Sequence, residues 1–330
     1  MCPTSSISSG MSAGVSAGVV LAATCAACHP VASSSVPGVV PTSTSVGSAG
    51  AGRTASTSVG PAGAGPVASS AMGPAGAGRT ASSVAGSAGP STTAPSSVPP
   101  GTLVSASVRA AYIAGVYDGF VPVATLRALG DFGLGAADKN DGELVALDGQ
   151  FYRALGDGSV VRLGDDELVP SASITAFRPE RRLRLTGPLP RAELEARLDA
   201  WLDDGRPSGN RMFALRMHGR FVRVVAGASV AQTPPYRPFA DIYREYRLIA
   251  RAGVVGSLVG FRMPWLLRDV SKQGYHFHLL SDDLAAGGHV DDEIVDDVEV
   301  EAAELHGVHL ILPDTCAFHA ADLEAAARRR

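Results

Sequence analysis

The chain has 330 residues, of which 45% are hydrophobic and 18% are charged, and its formal net charge at pH 7 is −4. This length suits one domain of moderate size or two small ones, and the chain lacks the basic surplus of a protein that binds nucleic acid. The four cysteines are too few and too unevenly spaced for a secreted disulfide framework, and the absence of a long uninterrupted apolar run predicts no transmembrane helix.

Residues 1–101 differ in composition from the rest of the chain. Among the first 100 residues only Arg53 and Arg79 are charged, and near-copies such as SAGAGRTAS (48–56) and PAGAGRTAS (74–82) mark a low-complexity tract. So few large apolar side chains cannot offset the ~1–2 kcal/mol per residue that an ordered backbone costs in entropy. We therefore expect a disordered tail over 1–101 and a folded domain over 102–330.

Two motifs in this tail have other interpretations. Cys25, Cys28 and His29 spell the C-x-x-C-H pattern of covalent haem attachment, but the surrounding residues cannot pack around a haem. Residues 11–28 are weakly apolar like a signal peptide, yet they lack the basic residues with which a signal normally opens. A cytoplasmic protein is the expectation, and export is the alternative.

Beyond residue 102, charged residues alternate with large apolar ones, as in an ordinary globular domain. The predicted elements, in chain order, are helices at Ser107–Tyr117 and Ala124–Gly130, a hairpin over Gly142–Leu155 that turns at Asp148-Gly149, a helix at Pro190–Asp204, two strands within Met212–Gly227 joined at His218-Gly219, and strands at Ser257–Pro264, Gly274–Leu280 and His309–Pro313. Strands outnumber helices. The prediction is therefore an α+β fold with a mixed β-sheet, few helices, and a small β-barrel or sandwich that carries the histidines described next.

Three of the eight histidines lie within the segment GYHFHLLSDDLAAGGHV (274–290). His276 and His278 alternate with apolar residues, so a strand places both rings on one face. The glycine pair before His289 lets the chain reverse, which brings the third ring opposite the first two. Three neutral nitrogens with an open position form a typical catalytic zinc site, so His276, His278 and His289 are the predicted metal ligands and Zn²⁺ the predicted cofactor.

Histidines in strands have two other interpretations. A single histidine on a strand is more often a structural residue than a ligand, which is how we interpret His218, His306, His309 and His319. A cupin-type metalloenzyme also has H-x-H on a strand, but its glutamate a few residues later is replaced here by Ser281-Asp282-Asp283. The cupin-type interpretation is therefore the weaker one.

Several segments, in the same order along the chain, resemble the acetolactate decarboxylase family. They are GVYDG (115–119), GDFGLG (130–135), DGELVALDGQFYR (141–153), QTPPY (232–236), GSLVGF (256–261) and the histidine segment itself. The resemblance implies a zinc enzyme that converts 2-acetolactate to acetoin and carbon dioxide, with the three histidines as ligands. It also implies that Glu143 lies in the active site and that the protein is a homodimer. A small-molecule substrate is then the only expected partner, with no nucleic acid and no membrane.

The chain departs from the family pattern at three places. The family arginine falls at Gly227, counted from Phe221 and Gln232; Ala136 stands where the family has threonine; and Glu324 is the only glutamate near the C-terminal end. Arg216, Arg223 and Arg262 are the candidates for a replacement cation. The departures predict reduced activity or, as an alternative, an inactive relative that binds metal and a small hydroxy-keto acid. Restoring arginine at position 227 is expected to raise turnover.

Overall fold

The computed structural model describes residues 98–328. The predicted tail over 1–101 lies almost wholly outside these residues, as do the Cys25–His29 motif and the signal-like segment 11–28. Within the described part of the chain, none of the helices has both the length and the apolar character that crossing a membrane requires.

Fourteen strands and six helices make up the described region. The strands are β1 (Thr102–Ala106), β2 (Val121–Pro122), β3 (Phe132–Ala136), β4 (Glu143–Leu147), β5 (Gln150–Ala154), β6 (Val160–Arg162), β7 (Leu168–Val169), β8 (Ser171–Thr175), β9 (Arg181–Pro190), β10 (Met212–Ala228), β11 (Arg247–Met263), β12 (Gly274–Ser281), β13 (Gly287–Leu305) and β14 (Gly307–Ile311). The helices are α1 (Arg109–Ala114), α2 (Val123–Leu129), α3 (Arg191–Asp203), α4 (Phe239–Tyr243), α5 (Cys316–Ala320) and α6 (Leu323–Arg328), with 3₁₀ turns at Asp138–Asn140 and Trp265–Leu267. The predominance of strands confirms the α+β class.

The first sheet has seven strands in the order β14-β1-β8-β3-β4-β5-β6. The sheet is mixed, as predicted, because β1 runs parallel to β14 and antiparallel to β8. The predicted hairpin is β4–β5, and its two turn residues, Asp148 and Gly149, have φ values of 51° and 74°. Positive φ at both central positions is what a two-residue hairpin turn of type I′ requires.

The second sheet contains β10, β11, β12, β13 and β9, and β10 also pairs with β13. The pairings of β10, β11, β12 and β13 therefore close on themselves as a cycle of four strands. Leu194, Leu198 and Leu202 recur at helical spacing along α3 and are fully buried in the same apolar cluster as residues of this sheet. The prediction of a helix over Pro190–Asp204 is confirmed.

The prediction of two separate strands within Met212–Gly227 is wrong. β10 runs unbroken from Met212 to Ala228, and it pairs along nearly its full length with both β11 and β13. Gly219 does not turn the chain. It has a φ of 146°, and the register with β13 shifts just after it, between Arg220 and Phe221. The glycine therefore accommodates an irregularity within one long strand. A side chain at this position would collide with the backbone of β13.

A separate apolar cluster joins the two sheets. Phe132, Leu134 and Val145 of the first sheet pack with Val259 and Phe261 of the second. This contact brings the start of β4, where Glu143 lies, against the strands that carry the histidines.

Candidate metal and substrate site

The three histidines converge as the sequence predicts. His278 on β12 lies directly opposite His289 on β13, and His276 lies two residues before His278 on the same face. Nε2 of His276 is 3.1 Å from Nδ1 of His289, and one nitrogen from each ring lies within 4.8 Å of the others. Ligand atoms of a tetrahedral ion with metal–nitrogen bonds of about 2.0–2.1 Å are about 3.3 Å apart. The spacing of the rings therefore fits a shared ion.

The rings are also in the right protonation state to bind a cation. Burial lowers the pKa of His278 to about 4, and burial together with the neighbouring rings and Lys272 holds the pKa values of His276 and His289 well below the usual range. All three are therefore neutral at pH 7. Nδ1 of His278 donates to the carbonyl oxygen of Leu144 at 2.9 Å, so its Nε2 lone pair is left for a metal.

Glu143, on the first sheet, lies beside the three histidine rings of the second sheet. It is the first residue of β4 and is buried, and its Oε2 lies 3.5 Å from Nε2 of His278. Gly142 makes this approach possible, because its φ is 99° and a Cβ there would collide with the carbonyl oxygen of Ala154. The hydroxyl of Tyr246 donates a hydrogen bond to Oε1 of Glu143. Burial raises the pKa of Glu143 to about 7, while the Tyr246 hydrogen bond and Lys272 act in the opposite direction.

A cavity of about 290 Å³ opens onto these four side chains. Its volume is just below the usual range for ligand sites, about 300–1,000 Å³, which suits a small ligand. Its wall also includes Arg109, Tyr112, Ile113, Leu134, Ala136, Phe239, Tyr243, Tyr246, Val270 and Lys272. Among the residues from 98 to 328, Glu143 contributes the only carboxyl group in this wall. The site thus combines three ring nitrogens that could share a metal ion, one acid and two cationic side chains in an otherwise largely apolar enclosure.

Sequence reasoning missed Lys272 and Tyr246. Lys272 lies just before β12, with its Nζ 3.3 Å from Nε2 of His289. Tyr246 belongs to an aromatic series, Phe239, Tyr243 and Tyr246, whose neighbouring rings lie 5.6 and 5.3 Å apart. The helical spacing of the aromatic residues was a usable signal, and so was the rarity of lysine, since the chain has only Lys139 and Lys272.

The arginines considered as replacements lie elsewhere. Arg216 is 3.5 Å from Asp148, Arg262 is 3.2 Å from Asp199, and Arg223 forms an ion pair with Asp292. None of the three lines the cavity. Glu324, the C-terminal candidate, is largely exposed and bonds to Arg328 at 2.6 Å, so it does not contribute to the site as described.

Gly227 lies directly opposite His289 across the β10–β13 pair. A Cβ at Gly227 would come 2.5 Å from the carbonyl oxygen of Arg247, and one at Gly288 would come 2.5 Å from the carbonyl oxygen of Gly227. The backbones here approach too closely for a side chain. The structure therefore argues against the expectation that arginine at position 227 would raise turnover.

We predict instead that Gly227→Arg lowers thermal stability without raising turnover. Crowding of this kind typically costs ~1–3 kcal/mol, which for a domain of this size lowers Tm by about 2–12 °C. Gly227→Ala adds the same Cβ without the cation and is the matched control, so both variants should melt early. A Gly227→Arg protein with unchanged Tm and higher kcat/KM would contradict this prediction. Calorimetry and steady-state kinetics on the same preparations decide between the two outcomes.

Comparison with known proteins agrees with the resemblance seen in the sequence. The sequence model of the alpha-acetolactate decarboxylase family matches residues 103–325. Alpha-acetolactate decarboxylase from Raoultella terrigena is 34% identical over 225 residues, which cover 68% of this chain and 85% of the relative. The protein of that name from Klebsiella aerogenes is 34% identical over 238 residues, or 70% of this chain and 89% of the relative.

The fold agrees with a solved structure. The crystal structure of alpha-acetolactate decarboxylase from Bacillus subtilis strain 168 superposes with a TM-score of 0.65 at 30% identity, covering 68% of this chain and 94% of that chain. The residues matched by the family model, 103–325, include Glu143 and the three histidines. The chain therefore belongs to the alpha-acetolactate decarboxylase family, whose members are carboxy-lyases.

Proposed function

We propose that this chain converts 2-acetolactate to acetoin and carbon dioxide, with a zinc ion held by His276, His278 and His289. The observation that carries the proposal is that three neutral ring nitrogens and one buried carboxyl group, that of Glu143, meet in one small cavity. Zinc is proposed because three histidine nitrogens with an open position are a common catalytic zinc site; other borderline divalent metals accept the same donors.

The substrate is a small anion with a hydroxyl group beside a keto group. A dication at the three histidines would polarise these two oxygens and stabilise the negative charge that remains when carbon dioxide leaves. The apolar side chains of Leu134, Phe239 and Val270 keep water away from the same space. Electrostatic interactions are stronger in such an enclosure than in water.

The proton that completes the reaction is assigned to Glu143. After carbon dioxide departs, the carbon that carried it must receive a proton. Glu143 is the one acid in the cavity wall within residues 98–328, and Tyr246 fixes its orientation by a hydrogen bond. An acid held at one fixed point delivers its proton to one face of a planar intermediate. Glu143 thus has the position of a general acid, or of a group that orients the substrate for protonation.

The alternative is a relative that binds metal and a small hydroxy-keto acid without turning it over, or that turns it over slowly. The specific observation in its favour is Gly227, which leaves the position of the family arginine without a side chain. Nothing comparable supports a cupin-type enzyme.

Acetoin formation by the full chain, with bound metal quantified in the same sample, tests the proposal. We expect about one metal ion per chain and acetoin released together with carbon dioxide. Removal of the metal by a chelator should abolish the reaction, and added zinc should restore it. Stoichiometric metal without acetoin would support the non-catalytic alternative.

Three further points stay proposals. The homodimer rests on the resemblance to the family. The closed cycle formed by β10, β11, β12 and β13 supports a small barrel around the histidines. The domain boundary at 101–102 is supported by the change in composition and by the start of β1 at Thr102.

A further inference from the structure

The cavity contains a lysine that the sequence analysis did not connect with the site. Lys272 lies between the 3₁₀ turn at Trp265–Leu267 and β12, and its side chain enters the cavity wall beside His289. It is one of only two lysines in the chain; the other 26 basic residues are arginines. No carboxylate within residues 98–328 forms an ion pair with Lys272, and its one hydrogen-bond contact is with His289, at 3.3 Å.

An ammonium group in this position has no ion-pair partner among residues 98–328. The cavity wall around it also contains a second cationic side chain, that of Arg109, and one carboxyl group, that of Glu143. Taking a charged group out of water without a counter-charge is unfavourable, so a partly buried cation in a cavity is a ready site for an anion. The substrate class of the proposed reaction is anionic, which gives the cavity a suitable ligand.

Lys272 and Gly227 both neighbour His289. Residues directly opposite each other on paired strands share one face of the sheet, so a side chain at position 227 would lie on the same face as the ring of His289. Lys272 lies within 3.3 Å of that ring and belongs to the segment that precedes β12. A cation is therefore present at His289 although the strand position beside it carries no side chain.

We propose that the ammonium group of Lys272 binds the carboxylate of the substrate, in place of a cation at position 227. The proposal rests on the proposed function, because it takes a small hydroxy-keto acid as the ligand. The carboxylate would point toward Lys272 while the hydroxyl and keto oxygens lie toward the histidines.

This role has a distinctive kinetic consequence. The carboxylate loses its charge as carbon dioxide forms, so a cation paired with it stabilises the bound substrate at least as strongly as the transition state. Loss of Lys272 should therefore raise KM by about 10- to 100-fold, the effect of removing one charge-assisted hydrogen bond, and change kcat much less. Lys272→Arg, which keeps the charge, should recover most of the affinity.

Calorimetric titration of the metal-loaded full chain with two unreactive ligands separates this role from a structural one. The first ligand is 2,3-dihydroxy-2-methylbutanoate, which has the carboxylate. The second is 2,3-butanediol, which lacks it. Lys272→Met should weaken binding of the acid by about 10- to 100-fold and leave binding of the diol unchanged. Lys139→Met, which removes the other, exposed lysine, is the matched control and should change neither.

Several results would overturn the assignment. Equal weakening of both ligands, or no weakening of either, would show that Lys272 does not recognise the carboxylate. Loss of metal from Lys272→Met alone would assign the lysine to the support of His289. Covalent trapping of substrate on Lys272 by borohydride would assign it to a Schiff base.

The two proposals fail in different ways. Acetoin formed by a wild-type chain whose Lys272→Met variant binds the acid normally would overturn the role of Lys272 alone. Discrimination between acid and diol by Lys272, in a metal-loaded chain that forms no acetoin, would support the lysine assignment and overturn the decarboxylase proposal.

Discussion

Alanine at position 278 is expected to leave the chain without its metal and to slow acetoin formation by more than about a hundredfold. His278 contributes one of three nitrogens that can share an ion, and it is the most deeply buried of the three rings. Two remaining nitrogens hold a dication far more weakly. The measurement is metal content by mass spectrometry after gel filtration, with initial rates on the same fractions.

His319→Ala is the matched control, since that ring is 61% exposed and pairs with Asp314. The control should retain both metal and activity. Because loss of the contact with Leu144 could also disturb folding, His289→Gln provides a second test that keeps most of the side-chain volume. Either variant retaining one equivalent of metal with unchanged affinity would show that the ligand set is wrong.

Glu143→Gln is expected to lower kcat by about 10²–10⁴, the usual contribution of a positioned general acid or base, without loss of metal. The amide has the same shape and can still accept the hydrogen bond of Tyr246, but it cannot deliver a proton. Metal content and circular dichroism should match the wild type. Steady-state rates of acetoin formation measure the effect.

Glu324→Gln removes the carboxylate of an exposed helical residue and should leave kcat unchanged. This control also tests whether the C-terminal glutamate has any part in the reaction. A Glu143→Gln enzyme with near-normal kcat would remove Glu143 from the proton step. A loss of metal equal to the loss of rate would instead make Glu143 a ligand or its support.

The histidine cluster could be predicted because its geometry is local. The two-residue period of a strand fixes His276 and His278 on one face, and the glycine pair Gly287-Gly288 fixes the return of His289. The β4–β5 hairpin was equally accessible from its Asp-Gly turn. In each case the determining residues are neighbours in sequence, so no knowledge of the tertiary structure is needed.

The lysine and the tyrosine could not be placed in the same way. Lys272 precedes a strand, and Tyr246 precedes another, so only the tertiary packing shows that both side chains enter one cavity. The full length of β13 could not be predicted for a related reason, since the sequence predicts only that a return strand opens at His289. Its acidic residues suggest a solvated segment, but several of them pair with arginines on the neighbouring β9, as Arg184 does with Asp297 at 2.6 Å. Cross-strand ion pairing is invisible before the pairing partner is known.

The hydrogen bond from His278 to the carbonyl oxygen of Leu144 ties a ring of one sheet to the backbone of the other. Metal affinity and the docking of the two sheets are therefore thermodynamically linked, and each must favour the other by the same free energy. Substitutions at the inter-sheet contact, far from any ligand atom, would therefore weaken metal binding. Conversely, the bound ion would stabilise the docked arrangement of the two sheets, and its removal would lower the melting temperature of the whole domain.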